Sequence, residues 1–146
     1  MNENLVDRED ALAGIVRAMR RVGVVGIKDE SRPDEPAYSI PAMLRDLGCT
    51  VIGINPTIPM ALGSPTLRSV DELAEAVDVL DVFRRIDVIP ALADEILAMP
   101  AERRPRVVWL QSGIRHDGAA DRLAAAGICV VQDHCLGVYA RRYRRG

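Results

Sequence analysis

Val22-Gly23-Val24-Val25-Gly26-Ile27, followed at once by Lys28-Asp29-Glu30-Ser31-Arg32-Pro33, decides the fold. Six nearly uninterrupted apolar residues are too few for a stable helix, and their β-branched content favours a strand buried on both faces. Ahead of it, Leu12, Ile15, Val16 and Met19 recur at helical spacing and predict an amphipathic helix over about residues 7–20. Behind it, Ile40, Met43, Leu44 and Leu47 mark a second helix, with Gly48 placed to end it.

The same alternation runs to the end of the chain. Val51-Ile52-Gly53-Ile54, Val79-Leu80-Asp81-Val82-Phe83, Val107-Val108-Trp109-Leu110 and Ile128-Cys129-Val130-Val131 are further strands. A Pro-rich connection spans Asn55 to Thr66, and Ser69-Val70-Asp71-Glu72 has capping-box form before a short helix. Ile89, Leu92, Ala93 and Ile96 give a helix with Pro90 in its first turn, where a missing N–H is harmless. Ala120, Leu123 and Ala124 give another, closed by Gly127, and an arginine-rich helix ends the chain. Strands alternating with helices imply right-handed βαβ crossovers and a parallel sheet covered on both faces. The expected fold is α/β, a Rossmann-like, doubly wound, five-stranded parallel sheet in one domain over residues 1–146, with residues 1–6 and 141–146 frayed.

Composition bounds the partners. The 146 residues are 49% hydrophobic and 27% charged, ordinary for a globular chain. A net charge of −2 gives no broad attraction for nucleic acid, and no apolar run approaches a membrane span. The start Met1-Asn2-Glu3-Asn4 lacks a signal-peptide core. Cys49, Cys129 and Cys135 are odd in number and lack CxxC spacing, which suits a reducing, cytoplasmic setting. Among 19 lysines and arginines only Lys28 is a lysine, a bias that suits a GC-rich genome better than a function.

In open α/β sheets, ligands bind beyond the carboxyl ends of the strands, where strand order reverses. That rule nominates 28–35, 55–59, 84–87, 111–115 and 132–135, where Lys28, Ser31, Arg32, Asn55, Arg84, Arg85, Gln111, Ser112 and Arg115 gather. Cations near a helix start are mildly unfavourable unless an anion compensates, so Arg84 and Arg85 point to an anionic ligand. The dinucleotide fingerprint is broken after Gly26, and Asn55-Pro56 stands where an acidic ribose ligand belongs. Both departures disfavour an NAD(P)-dependent oxidoreductase. No Walker A loop is present.

Five segments, in order and in register with the strands, carry a resemblance. They are Val24-Val25-Gly26-Ile27 with Ser31-Arg32-Pro33 and Ser39, then Val51-Ile52-Gly53-Ile54-Asn55-Pro56, then Val79-Leu80-Asp81-Val82-Phe83-Arg84-Arg85. Val107-Val108-Trp109-Leu110-Gln111-Ser112-Gly113-Ile114 and Val130-Val131-Gln132-Asp133-His134-Cys135 complete the set. From about residue 10 to residue 139 the chain resembles the small stand-alone CoA-binding proteins, relatives of the N-terminal domain of the succinyl-CoA synthetase alpha subunit. The resemblance implies coenzyme A or an acyl-CoA bound across the strand ends. Gly26, Ile27, Lys28, Ser31 and Arg32 would lie at the phosphates, and Asn55 and Pro56 would flank the nucleotide. Val82, Phe83, Arg84 and Arg85 would meet the adenosine or its phosphates, with Gln111, Ser112 and Gly113 along the pantetheine path. His134 stands where the pattern has a basic residue, and the Pro-rich stretch Pro56 to Pro65 departs from it.

No catalytic constellation is expected. His116 precedes an alanine-rich helix and reads as a cap-region residue, and His134 on the rim reads as a structural hydrogen-bonding group. Cys129 reads as a small buried hydrophobe, and with His134 and Cys135 it fits no metal pattern. Cys135 at a helix N-terminus is a candidate reactive thiol that could form a mixed disulfide with CoA. Arg141, Arg142, Arg144 and Arg145 read as a cationic helix end rather than a nucleic-acid contact. Asp81 inside a strand is unexplained beyond a hydrogen bond to a neighbouring loop. The competing readings are the NAD(P) oxidoreductase and a ligand-free protein-interaction module, and no protein partner is named by the sequence.

Overall fold

The computed structural model describes residues 2–144. In chain order the elements are α1 (Glu9–Ala18), β1 (Arg21–Val25), α2 (Pro36–Asp46), β2 (Thr50–Ile54), β3 (Met60–Ala61), β4 (Ser64–Pro65), β5 (Val79–Val82), α3 (Ile89–Ala98), β6 (Val107–Leu110), α4 (Asp117–Ala125), β7 (Cys129–Val131) and α5 (Leu136–Tyr143). Five strands pair in the order β2-β1-β5-β6-β7, all parallel. Each of the five apolar runs read from the sequence holds one strand of this sheet, and the doubly wound α/β fold stands.

Alternation along each strand builds two cores. Val25, Leu80, Val82, Val108, Leu110 and Val130 face α3 and α4, with Ile89, Leu92, Ile96 and Leu123 filling the layer. Val22, Val24, Val79, Trp109 and Val131 face the other way, onto Leu12 and Val16 of α1, Leu44 of α2 and Leu136 and Ala140 of α5. The one dissonant position on this second face is Asp81, fully buried with neither carboxylate oxygen hydrogen-bonded. It pairs in register with Val24 and Trp109, between which no polar partner is offered. Burial therefore pushes its carboxyl well above the usual range.

The structure corrects four local expectations. The first strand stops at Val25, because Gly26 turns to φ +85. The Pro-rich connection is not plain loop: Met60-Ala61 and Ser64-Pro65 form a two-stranded hairpin turned by Leu62 and Gly63, both at positive φ. The capping box does not form. Glu72 accepts a bond from the Arg68 N–H at 2.7 Å, Ser69 donates to Asp71, and only a 3-10 turn over Val70–Glu72 results.

Nor are the described ends frayed. β7 is an edge strand with open backbone groups, and residues 4–6 satisfy them, with Val130 N–H to Asn4 O at 2.8 Å and Val6 N–H to Val130 O at 2.9 Å. At the other end Arg141 and Arg142 lie within α5. Arg142 reaches Glu9 at 3.2 Å, and the Arg144 guanidinium donates to the carbonyls of Val16 and Met19, closing the end of α1. Met1, Arg145 and Gly146 lie outside the described residues. No helix among the described residues is long and apolar enough to cross a membrane.

Candidate functional site

Strand order turns at β1: the chain goes from β1 out to β2, then crosses back to β5 on the other side. The crevice above the ends of β1 and β5 is the switch point at which such sheets take ligands. A cavity of about 280 Å³ opens there, walled by Val25, Ile54, Pro56, Val70, Val88 and Leu92 and edged by Arg68, Ser69, Arg84 and Glu95. An apolar chamber with a few convergent polar groups is the usual form of a small-molecule site. Its volume suits one moiety of a larger ligand.

Gly26 lets the chain leaving β5 pack against the end of β1 at the cavity's edge. Its N–H bonds the Ile54 carbonyl at 2.9 Å and its φ is +85. A Cβ built here would stand 2.3 Å from the Phe83 carbonyl oxygen, an overlap that no side-chain shift relieves. The Arg84 chain crosses the same glycine, its Cδ 3.4 Å from where that Cβ would be.

The residues singled out in the sequence fall into three groups. Pro56 and Arg84 line the cavity, with Gly26 at its edge. A second group holds the loops in place. Asn55, nearly buried, donates to the Ile27 carbonyl at 2.8 Å and accepts from Thr57 N–H at 2.9 Å, tying the β1 and β2 loops together. The Gln111 side-chain oxygen accepts from Leu136 N–H at 2.7 Å, which caps α5. The Ile27 and Val82 side chains are buried in the two cores, and Phe83 is half-buried. Gly113 at φ +82 donates to Asp133 at 2.6 Å.

The third group, half-buried at Lys28 and otherwise exposed, differs from expectation in its electrostatics. Lys28 and Arg32 share their loop with Asp29, Glu30, Asp34 and Glu35, two cations against four carboxylates. Asp29 already takes the Ser31 hydroxyl and N–H, the latter at 3.0 Å, and these bonds hold its carboxyl below the usual range. Arg32 lies 3.8 Å from Glu35. An anion arriving at Arg32 competes with Glu35. Arg85, expected to act with Arg84, pairs with Asp87 at 3.2 Å and stands in solvent, and Ser112 is exposed on the far rim.

Arg68, Val70, Val88, Leu92 and Glu95 were not legible as site residues. Arg68 arrives through a non-local contact: Leu67 bridges Ile54, and Asn55 N–H bonds the Leu67 carbonyl at 2.8 Å. Val88, Leu92 and Glu95 are visible only as a helix face until β5 places α3 beside the crevice.

The histidines are engaged. His116 Nδ1 accepts from Ala119 N–H at 3.0 Å as the cap of α4, and His134 Nε2 lies 2.8 Å from Asp7 Oδ1. Cys135 sits at the N-cap of α5 as a free, half-buried thiol. Among the described residues no group of three or more His, Cys, Asp or Glu could hold a metal ion.

Fold and crevice together define a doubly wound α/β domain with a cavity at its switch point. Residues 20–141 match the family model described as CoA binding domain, and the chain belongs to that family. A curated protein of Bacillus subtilis, the uncharacterized YneT, is 34% identical over 124 residues, covering 85% of this chain and 87% of its own. A solved protein of Thermus thermophilus is 35% identical with a TM-score of 0.84, over 94% of this chain and 99% of that one. A hypothetical protein of Pyrococcus horikoshii, at 19% identity and TM-score 0.82 over 98% and 96% of the two chains, shares the fold.

Proposed function

We propose that this chain binds coenzyme A, free or acylated, across the carboxyl ends of its sheet and carries out no chemistry on it. The observation that carries the reading is the apolar cavity at the β1–β5 switch point with Arg84 in its lining. Membership of the CoA-binding family supports the ligand class. A base fits the cavity, the diphosphate then lies at Gly26 and Arg84, and the pantetheine runs over the rim toward Ser112. His116, committed to capping α4, favours a holding role over turnover.

Melting curves with CoA, dephospho-CoA, NADH and NADPH test the reading. CoA at 100 times its dissociation constant adds about 2.7 kcal/mol of stability, which raises Tm by several degrees. A rise with the nicotinamide nucleotides and none with CoA would replace it by the oxidoreductase reading, and no rise with any of the four by the protein-interaction reading. Mass spectrometry after overnight incubation is expected to return intact acetyl-CoA.

Arg84 and Arg85 are expected to separate. Arg84→Gln weakens CoA binding by about tenfold or more, the size of one lost charge-assisted contact to phosphate. Arg85→Gln, whose partner is Asp87 in solvent, changes it by less than about twofold. Isothermal titration of both variants distinguishes them.

A further inference from the structure

The guanidinium groups of this chain are almost all occupied. Among the described residues only those of Arg20, Arg68 and Arg84 have no hydrogen-bond, ion-pair or aromatic partner. Two of those three edge the same cavity. Arg20 lies at the opposite end of the sheet, just before β1. The Glu95 carboxylate, also without a partner, shares the cavity edge with the two arginines.

Position assigns each of them a different part of a nucleotide. In doubly wound sheets the ribose is read at the carboxyl end of the second strand, by a carboxylate when its hydroxyls are free and by an arginine when it carries a phosphate. Here the end of β2 offers Asn55, whose amide is spent on Ile27 and Thr57. The charged group delivered there is Arg68, pinned by the Leu67–Ile54 bridge and by its own N–H on Glu72. Arg84 lies instead across Gly26, past the ends of β1 and β5. Glu95 is an acceptor on the α3 wall, beside Leu92 and Val88. A carboxylate is tolerated in an anion site only where it faces a donor, and the donor a purine presents there is an exocyclic amine.

We infer that Arg68 binds a phosphate on the ligand's ribose and that Glu95 accepts a hydrogen bond from the amine of its adenine, so that these two residues set the nucleotide specificity of the site. The inference rests on the CoA reading and goes beyond it by naming what selects the nucleotide.

Titration calorimetry with adenosine 3′,5′-bisphosphate, ADP and guanosine 3′,5′-bisphosphate tests it without the pantetheine arm. The native protein is expected to prefer the first over each of the others by about tenfold. In Arg68→Gln the preference over ADP falls to within about twofold while ADP affinity is kept. In Glu95→Ala the preference over the guanine nucleotide falls likewise. Arg20→Gln, the third unpartnered arginine, changes neither. All three side chains are exposed, so the variants fold, as their unchanged melting temperatures without ligand will show. Retention of both preferences in Arg68→Gln and Glu95→Ala overturns the inference and leaves CoA binding standing. Failure of CoA and of the bisphosphate to bind the native protein overturns both.

Discussion

Gly26→Ala is expected to destabilise the fold by roughly 2–4 kcal/mol and to abolish CoA binding in the fraction that remains folded. Two effects add. Alanine at φ +85 is strained by itself, and its methyl group meets the Phe83 carbonyl at 2.3 Å. Relief requires the ends of β1 and β5 to move apart, and that gap is the crevice. The measurement is urea unfolding beside a CoA titration. A variant with native stability and native affinity would show that the β1 turn is free to adjust and is not what admits the ligand.

Asp81 gives the second large effect, with the opposite sign. An unpaired polar group in a core costs about 1–3 kcal/mol, and Asp81 has two unbonded oxygens between Val24 and Trp109. Asp81→Leu, of similar size and apolar, is therefore expected to raise stability at pH 8. Asp81→Asn tests the ionisation alone. The folded chain holds the carboxyl protonated at pH values where the unfolded chain releases the proton, because the folded value is raised. The stability of the native protein relative to Asp81→Asn is therefore fully present below the unfolded value near 4. It declines as pH rises toward the folded value, by at most about 1.4 kcal/mol per pH unit. Urea unfolding of both proteins from pH 4 to pH 8 checks the slope. A constant difference across that range would mean that Asp81 is ionised in the core and paired.

The sheet was legible because its strands are short apolar runs between helices of clear period, and such patterns are local. Gly48 at φ +96 was readable for the same reason: a glycine after the last apolar turn of a helix has one common use. Features made by contacts between distant residues were not. Residues 4–6 look like a loose end until the open edge of β7 receives them. Ser69 to Glu72 has the letters of a capping box, but Leu67 is fastened to Ile54, and the chain leaves the turn at Leu73 in extended form. The candidate site divides in the same way. Arg84 could be found because it follows a strand directly. Arg68 could not, because a hairpin and a single bridge carry it to the cavity from a Pro-rich segment. Asn55 and Gln111 were read at the right places in the chain, and their side chains proved to be struts that hold the rim in shape.

A crystal structure of the protein with CoA tests the central claim most directly. The adenine ring is expected inside the cavity, against Ile54, Pro56 and Leu92, with the diphosphate beside Gly26 and within hydrogen-bond reach of Arg84. CoA bound elsewhere on the molecule, with this cavity empty or filled by the protein's own side chains, would contradict it.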